Sequence, residues 1–552
     1  MSRSVKRAPV WLGLVVTLAL VAAACGGDDE PSTTGPTGES GATTGGAFSM
    51  SIGEPESLIP QINSESEGSQ VLRALFTPLI TFGENEEVIF AVAESIESDD
   101  NVTWTVTLRD GWTFHDGTPV TAQSFVDAWN WGAYGPNAAG NNYFFGPFGV
   151  NIVGYDAMNP TEGEPETDQL SGLTVVDDLT FTVELGAAFS EFPITVNYNA
   201  FYPLPESFFA DPEAFNEAPV GNGPYMVDGD WQHDVGINLV RYEDYAGTPG
   251  NADAVEFRIY ADLDTAFRDV QAGNLDIQHG LPPEQIGSAQ SEFGERYFET
   301  PSSSFSYIGF PLWEEQFQNP DIRKAFSMAI DRQVVIDAIY FGTLTPADDM
   351  VSPVIQGYRT GVCQYCSFDP TAAKELFDAA GGFDGPLTIW FNNDGGHEQW
   401  IEAVSNMWRQ NLGVEDITFE SMPFAKYLGL LDQGFLGNFD EAVTGPFRLG
   451  WGMDYPSMQN YLENLHGTEA GSNYTTYSNP EVDDLIQQGK QADSLEGAIA
   501  SHQEADDIIL EDMPIIPLWF GLGTTVYSER VSNILVDKFA FVDIAAVQVV
   551  DE

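Results

Sequence analysis

The sequence predicts an α/β protein of more than one domain, and three features of its 552 residues support that class. The stretch from Trp104 to Trp131, WTVTLRDGWTFHDGTPVTAQSFVDAWNW, packs strand, turn, strand, turn and helix into one short run. Further on, Leu387 to Asn392, Trp400 to Gln410 and Ile417 to Glu420 read as strand, amphipathic helix and strand, the alternation an α/β lobe needs. Finally, Phe48 to Glu552 is long enough for a large core and for more than one domain.

At the N-terminus, Arg3, Lys6 and Arg7 precede an apolar run from Val10 to Val21 and then Ala22-Ala23-Ala24-Cys25. Residues 1–24 therefore read as a secretory signal, too short and wrongly flanked for a spanning helix. Gly26 to Ala47 holds Gly, Ser, Thr, Pro, Asp and Glu with almost nothing to bury, so 25–47 is expected to be a flexible tether. No other segment approaches the roughly 20 apolar residues needed to span a bilayer.

In the body, Pro55 and Pro60 interrupt Ser51 to Phe76, and a helix is expected from Ser69, burying Val71, Leu72 and Leu75. Trp104, Val106 and Leu108 alternate with Thr103, Thr105, Thr107 and Arg109, the period of a half-buried strand. Asp110-Gly111 turns the chain, Trp112 to His115 is expected to run back, and Asp116-Gly117-Thr118-Pro119 turns it again. Thr121 suits an N-cap for a helix whose apolar face carries Phe125, Ala128 and Trp129. Leu173 to Leu185 reads as a hairpin about Asp177-Asp178, and Pro203-Leu204-Pro205 leads into a short helix with Phe208 and Phe209. The two glycines of Val220-Gly221-Asn222-Gly223-Pro224-Tyr225 suggest a phosphate loop, but Pro224 removes an amide where such a loop needs donors, so a structural turn is expected. Phe257 to Tyr260 is a strand, and Ala266 to Ala272 a helix. Ile322, Ala325, Phe326, Ala329 and Ile330 form a helical stripe, after which Asp331 caps the next helix. Arg323 and Arg332 are expected to tie this helix pair to neighbouring carboxylates.

The formal charge is −64, and the lysines are Lys6, Lys324, Lys374, Lys426, Lys490 and Lys538. A chain so short of basic residues has no phosphate-binding face, which excludes a general nucleic-acid binder. The excess could serve cationic ligands, but charge spread over the whole chain is more often a solvated surface, with a saline habitat as one cause. Beyond Cys25, only Cys363 and Cys366 occur, in VCQYCSFDP. Such a pair can be a redox site, half of a zinc site or a local disulfide. With no second Cys-x-x-Cys and the six histidines scattered, no metal site is expected, and export favours a surface disulfide. No Gly-x-Ser-x-Gly elbow, His-Glu-x-x-His or Walker loop is present, and no spacing singles out a carboxylate pair for a glycosidase. No catalytic residue and no cofactor is expected.

Within the central stretch, LRDGWTFHDGTPVTAQSF resembles the signature of the extracytoplasmic solute-binding proteins of family 5, which serve oligopeptide and dipeptide ABC importers. Leu108, Arg109, Gly111, Phe114, Asp116, Gly117, Thr118, Pro119, Thr121 and Ala122 fit it. Gln123 and Ser124 stand where the family often has an acidic pair. Gly221-Asn222-Gly223-Pro224-Tyr225 is similar to the family's Gly-Thr-Gly-Pro-Tyr turn. Arg323 to Arg332, the helix start at Asp369-Pro370, and Met513 to Trp519 also resemble family segments. The resemblance implies a type II periplasmic-binding-protein fold of two lobes with an extra inserted domain, like cluster C. A two-segment hinge would lie near Ser303 to Phe310 and Pro514 to Phe520. The implied division is 48–90, 206–305 and 517–552 in lobe 1, 91–205 as its inserted subdomain, and 306–516 as lobe 2.

Ala22-Ala23-Ala24-Cys25 looks like a lipobox with Ala22 where the family usually has Leu, which makes Cys25 the expected lipidated residue. In the peptide-binding branch an Asp in a Gly-Trp-x-x-Asp segment holds the ligand's α-ammonium. Gly450-Trp451-Gly452-Met453-Asp454 is similar, so the resemblance implies that Asp454 binds the ligand. Trp451 would form a wall, and the backbone of Gly452 and Met453 would pair with an extended peptide. Ser66, in the loop Ser64 to Gly68, would line the cleft from the first lobe. Arg448 and Arg359 are candidates for the group that meets the ligand's carboxylate. Implied partners are a peptide or other small solute, the ABC permease, and the membrane through the lipid anchor only. A monomer is expected. Nickel chelates and oligosaccharides are the competing cargoes, and a secreted hydrolase is the competing class.

Overall fold

In the computed structural model, which describes residues 42–43, 45–83, 87–160, 163–383, 385–393 and 396–550, two long strands, Tyr297–Gly309 and Ile515–Tyr527, run through the centre of one sheet. They are antiparallel, from Tyr297 opposite Val526 to Gly309 opposite Ile515, and their register breaks between Pro301 and Phe305. On one side of the break, Ile515–Tyr527 pairs with Ile277–His279. Beyond it lie Ala47–Ile52, Ala254–Ile259, Gly236–Arg241 and Tyr225–Val227. On the other side, Tyr297–Gly309 pairs with Phe447–Trp451, followed by Leu387–Asn392 and Ile417–Met422. The two halves of the sheet are thus joined through the two segments expected to cross between lobes. The expected borders at 305/306 and 516/517 fall inside these strands, where a small change in dihedrals would swing one half against the other.

Alternation along the central strands explains how the second half is built. Phe305, Tyr307, Phe447 and Leu449 enter one apolar core, while Ile308, Phe310, Ile516 and Leu518 enter another. Odd and even positions point to opposite faces, so helices cover the sheet on both sides. Glu398–Leu412 lays Trp400, Ile401, Val404 and Trp408 on one of these faces.

The inserted region is a second sheet of Ala93–Glu97, Thr103–Leu108, Thr180–Glu184 and Leu173–Asp177, all antiparallel. Trp104, Val106 and Leu108 are buried and their neighbours less so, as the alternation requires. The helix Ala122–Ala133 covers this sheet with Phe125 and Trp129. Phe125 stacks on Phe181 at 5.9 Å, and Trp129 Nε1 donates to Phe201 O at 3.0 Å. Trp112 to His115 does not form the expected return strand. Thr103–Leu108 already has a neighbour on each edge, so the returning chain keeps only an isolated bridge between Thr113 and Pro119.

Two segments matched separately in the sequence meet here. His115 N donates to Gly221 O at 2.8 Å, and His115 Nδ1 accepts from Gly221 N at 3.1 Å. Burial lowers the pKa of His115 to about 4, so the ring is neutral and free to accept. A Cβ on Gly221 would sit 1.9 Å from Leu75 O, and one on Gly223 2.5 Å from Leu75 C. The two glycines let the turn press against the end of the helix Ser66–Leu75, which accounts for them without a phosphate.

Several expectations need correction. The first helix starts at Ser66 rather than Ser69, because the Glu65 side chain accepts from Glu67 N and Gly68 N and caps it there. Ser64 to Gly68 is therefore a helix start. Arg323 and Arg332 do not seek carboxylates. Arg323 donates to the carbonyls of Met513, Phe317, Gln318 and Asp512, and Arg332 to those of Pro517, Ser327 and Cys366. Buried guanidinium donors there satisfy carbonyls that segment ends leave unpaired. Cys363 and Cys366 form the expected disulfide, but it is buried in the second half's core rather than on the surface. Ala42–Thr43, expected in the tether, pairs with Gln548–Val550. The signal segment, Cys25 and the tether up to residue 41 lie outside the described residues. Among the described residues, no helix is long and apolar enough to cross a membrane.

Candidate functional site

The strand Phe447–Trp451 ends at Trp451, and the helix Met458–His466 begins after the link Gly452 to Ser457, with Ser457 Oγ accepting from Gln459 N at 3.0 Å. Asp454 lies in the short link between them. Asn460, in the first turn of that helix and fully buried, sets the geometry. Its Oδ1 accepts from Trp451 Nε1 at 3.1 Å and from Asp454 N at 3.0 Å, and its Nδ2 donates to Asp454 Oδ2 at 2.9 Å. Asn460 is the one side chain hydrogen-bonded to this carboxylate among the described residues, and it is neutral. Burial raises the Asp454 pKa to about 7, although the Asn460 bond pulls it down. The group keeps some open surface, and that surface faces a cavity.

The cavity has a volume of about 250 Å³. The first half supplies Ser64, Glu65, Ser66, Ser69 and Arg73, and the inserted region supplies Asn197, Tyr198, Asn199 and Tyr202. Ser303 comes from the register break, Gly452, Met453 and Asp454 from the second half, and Phe539 and Phe541 from the C-terminal segment. Asp454, Gly452, Met453 and Ser66, all singled out in the sequence, thus come together from distant parts of the chain. Trp451 does not join them on the wall, because its indole N–H is held by Asn460. Burial, and next the charge of Asp454, push the Tyr198 phenol well above its usual range, so it stays protonated as a donor. Burial and Glu67 push Glu65 up to about 8, against the amides of Gly68 and Glu56 that pull it down.

Neither arginine suggested for a carboxylate lines the cavity. Arg359 Nη2 bonds Asp506 and Asp507 at 2.7 Å each, and Arg448 Nη1 donates to Asn392 Oδ1 at 3.1 Å. Arg73 does line it. Sequence reasoning missed Arg73 and Asn460, because a helical Arg beside Val71 and Leu72 and an Asn inside a helix carry no spacing signal of their own. Among the described residues, no group of three or more His, Cys, Asp and Glu is arranged to hold a metal.

Polar contacts join the inserted region to the helices that follow Asp454. Ser457 Oγ donates to Glu191 Oε1 at 2.6 Å, and Ser190 N donates to Lys490 O at 2.8 Å. Lys490 Nζ is in turn 2.9 Å from both carboxylate oxygens of Glu463. Tyr455, from the second half, is buried in the core of the first. These contacts tie the inserted region to the helix that follows Asp454, and burial of the carboxylate is what raises its pKa.

A family model for bacterial extracellular solute-binding proteins, family 5 Middle, matches residues 87–473. The chain is 28% identical over 552 residues to the oligopeptide-binding protein OppA of Bacillus subtilis, covering 95% of this chain and 96% of that one. It is 28% identical over 478 residues to the periplasmic murein peptide-binding protein MppA of Escherichia coli, covering 84% and 86%. Among solved structures, the E. coli murein tripeptide binding protein MppA superposes with a TM-score of 0.78 at 22% identity, covering 93% of this chain and 100% of that one. The Haemophilus influenzae OppA complex with RPPGFSPFR gives 0.76 at 22% identity, with the same coverage.

Proposed function

The chain belongs to the bacterial extracellular solute-binding proteins of family 5, and on that footing we propose that it captures peptides between two lobes and hands them to a membrane permease. One observation carries the reading: a half-buried carboxylate, Asp454, faces the cavity with only a neutral amide as side-chain partner among the described residues. A peptide's α-ammonium supplies the missing countercharge, and burial makes that pair far stronger than an exposed one. Gly452 and Met453 offer backbone groups beside it, which hold a main chain without reading its side chains. The names of the relatives, oligopeptide-binding and murein peptide-binding, agree with a peptide cargo.

In this reading 1–24 is a cleaved signal, Cys25 carries the lipid, and a tether leaves the monomeric body free to move near the membrane outside the cytoplasm. The segments 48–90, 91–205, 206–305, 306–516 and 517–552 divide the body into lobe 1, its insertion and lobe 2. Binding between the lobes favours the closed arrangement, and the permease must reopen it for release. The protein is a receptor, not an enzyme, so it returns its ligand intact. Native mass spectrometry of co-purified ligand tests the class, with unmodified peptides expected. Asp454→Asn tests the site. Removing one partner of a buried ion pair costs about 3–5 kcal/mol, so a free-amine peptide loses affinity sharply and its N-acetylated form does not. Equal losses for both, or turnover of the peptide, would refute the reading.

A further inference from the structure

Asp454 accounts for one end of a peptide, and the opposite wall of the cavity carries a group suited to the other end. Arg73 is the one basic side chain among the described residues lining the cavity. It projects from Ser66–Leu75 in the first half, whereas Asp454 belongs to the second. Phe539 and Phe541 hold its guanidinium, their ring centres 4.7 and 4.4 Å away. Rings against the guanidinium leave its edge, with its fork of N–H donors, for acceptors. Its one hydrogen-bond partner among the described residues is Asp537, through Nη1 at 2.7 Å. The other oxygen of Asp537 accepts from Phe539 N and Phe541 N, both at 2.9 Å, so the segment that carries the rings also fixes the arginine.

The same helix offers a second place for an anion, its own N-terminus, where Ser64 and Ser66 line the cavity. That place is taken: Glu65 accepts from Glu67 N at 2.5 Å and Gly68 N at 2.9 Å. The anion site therefore falls to Arg73, one turn beyond Ser69 along the helix. We infer that Arg73 binds the ligand's free carboxylate, and that the preferred cargo is a short peptide with both ends free, its ammonium on Asp454 and its carboxylate on Arg73. The assignment rests on the peptide reading above. The cavity's volume of about 250 Å³ lies below the roughly 300–1,000 Å³ of sites for drug-sized ligands, which limits the length. Because the two charged groups come from opposite halves, such a zwitterion ties the halves together, and a ligand lacking either charge closes them less well.

The test is a competition on the full chain, read by native mass spectrometry, with an equimolar set of dipeptides and tripeptides offered free-ended, N-acetylated or C-amidated. A set of hexapeptides is added as a length control. Free-ended dipeptides and tripeptides are expected to bind best, with amidation weakening them at least about tenfold, as loss of a charge-assisted bond does. Arg73→Gln is expected to erase the difference between free and amidated sets, and Arg73→Lys to keep part of it. Equal binding of free and amidated peptides to the unmodified protein overturns the Arg73 assignment, and if acetylation still abolishes binding, the peptide reading survives. A full preference for the free carboxylate in Arg73→Gln also overturns it. Hexapeptides binding as well as dipeptides overturn the length limit, and binding of no set overturns both readings. If Arg73→Gln fails to fold, the amidation comparison on the unmodified protein still decides.

Discussion

Asp454 is costly to keep as an anion in the empty cavity, and that cost makes it a receptor for a cation. Its pKa is raised from 3.8 to about 7 by burial, so near neutrality it is part protonated until an ammonium arrives. The sign for stability follows: the folded chain holds this proton more tightly than the unfolded one. The group favours folding at low pH, and that contribution fades as pH rises from 3.8 through about 7. Binding runs the other way. It needs the carboxylate ionised and the peptide's α-amine, with a pKa of about 8, protonated. Affinity is therefore expected to rise as pH climbs through about 7 and to fall above about 8. Calorimetry in two buffers of different ionisation enthalpy should show proton release below this window and proton uptake above it; a flat profile would contradict the ammonium contact. Asn460 supports the same carboxylate at one remove. Asn460→Ala strips acceptors from Trp451 Nε1 and Asp454 N, and leaving such groups unpaired costs about 1–3 kcal/mol each. Urea titration should show the loss of stability, and free-amine peptides should also bind more weakly.

Among the elements around the site, the helices Met458–His466 and Pro480–Lys490 share one buried ion pair, Lys490 with Glu463, both side chains 7% exposed. Glu463 also takes hydrogen bonds from Gln459 and Gln487, while Lys490 lies 5.3 Å from the ring centre of Phe189 in the inserted region. The pair thus helps to fix the helix that carries Asn460. A buried charge left alone costs more than the pair is worth. Lys490→Met is accordingly expected to destabilise the protein by about 3–5 kcal/mol, whereas Lys490→Met with Glu463→Met should recover most of that loss. Denaturant unfolding of the two single variants and the double variant measures the coupling, and additive losses would show that the pair is not acting as a unit. Glu191, next to this network, has its carboxyl raised to about 7 by burial, with Ser457 and Lys490 opposing the shift and Glu463 adding to it. It ties the inserted region to Ser457 at the start of the same helix.

At the scale of the whole molecule, the parts legible in the sequence were those written in local periodicity. Thr103–Leu108 was visible through its alternation, Glu398–Leu412 through its helical stripe, and the Gly221 to Tyr225 turn through Pro224. What the sequence hid was decided by distant neighbours. Trp112 to His115 loses its strand to two competitors for the same edges, Arg323 and Arg332 find carbonyls from segments far along the chain, and Arg73 shares a cavity with Asp454 only once the chain is folded. Charge is the one global property readable without any fold. With 84 acidic and 20 basic side chains, even complete pairing leaves 64 carboxylates without a base. Salt then acts in two opposed ways. It weakens exposed pairs such as Lys374 with Asp378, each worth about 0–1 kcal/mol. It also screens the repulsion among the excess carboxylates, whose reach falls from about 30 Å at 0.01 M to about 3 Å at 1 M. Repulsive neighbours far outnumber attractive ones, so screening should win. The melting temperature is expected to rise from 0.01 to 1 M sodium chloride, by the same amount in potassium chloride, with most of the gain at the low end. A melting temperature that fell with salt would mean that the few ion pairs, not the many unpaired carboxylates, govern this fold's electrostatic stability.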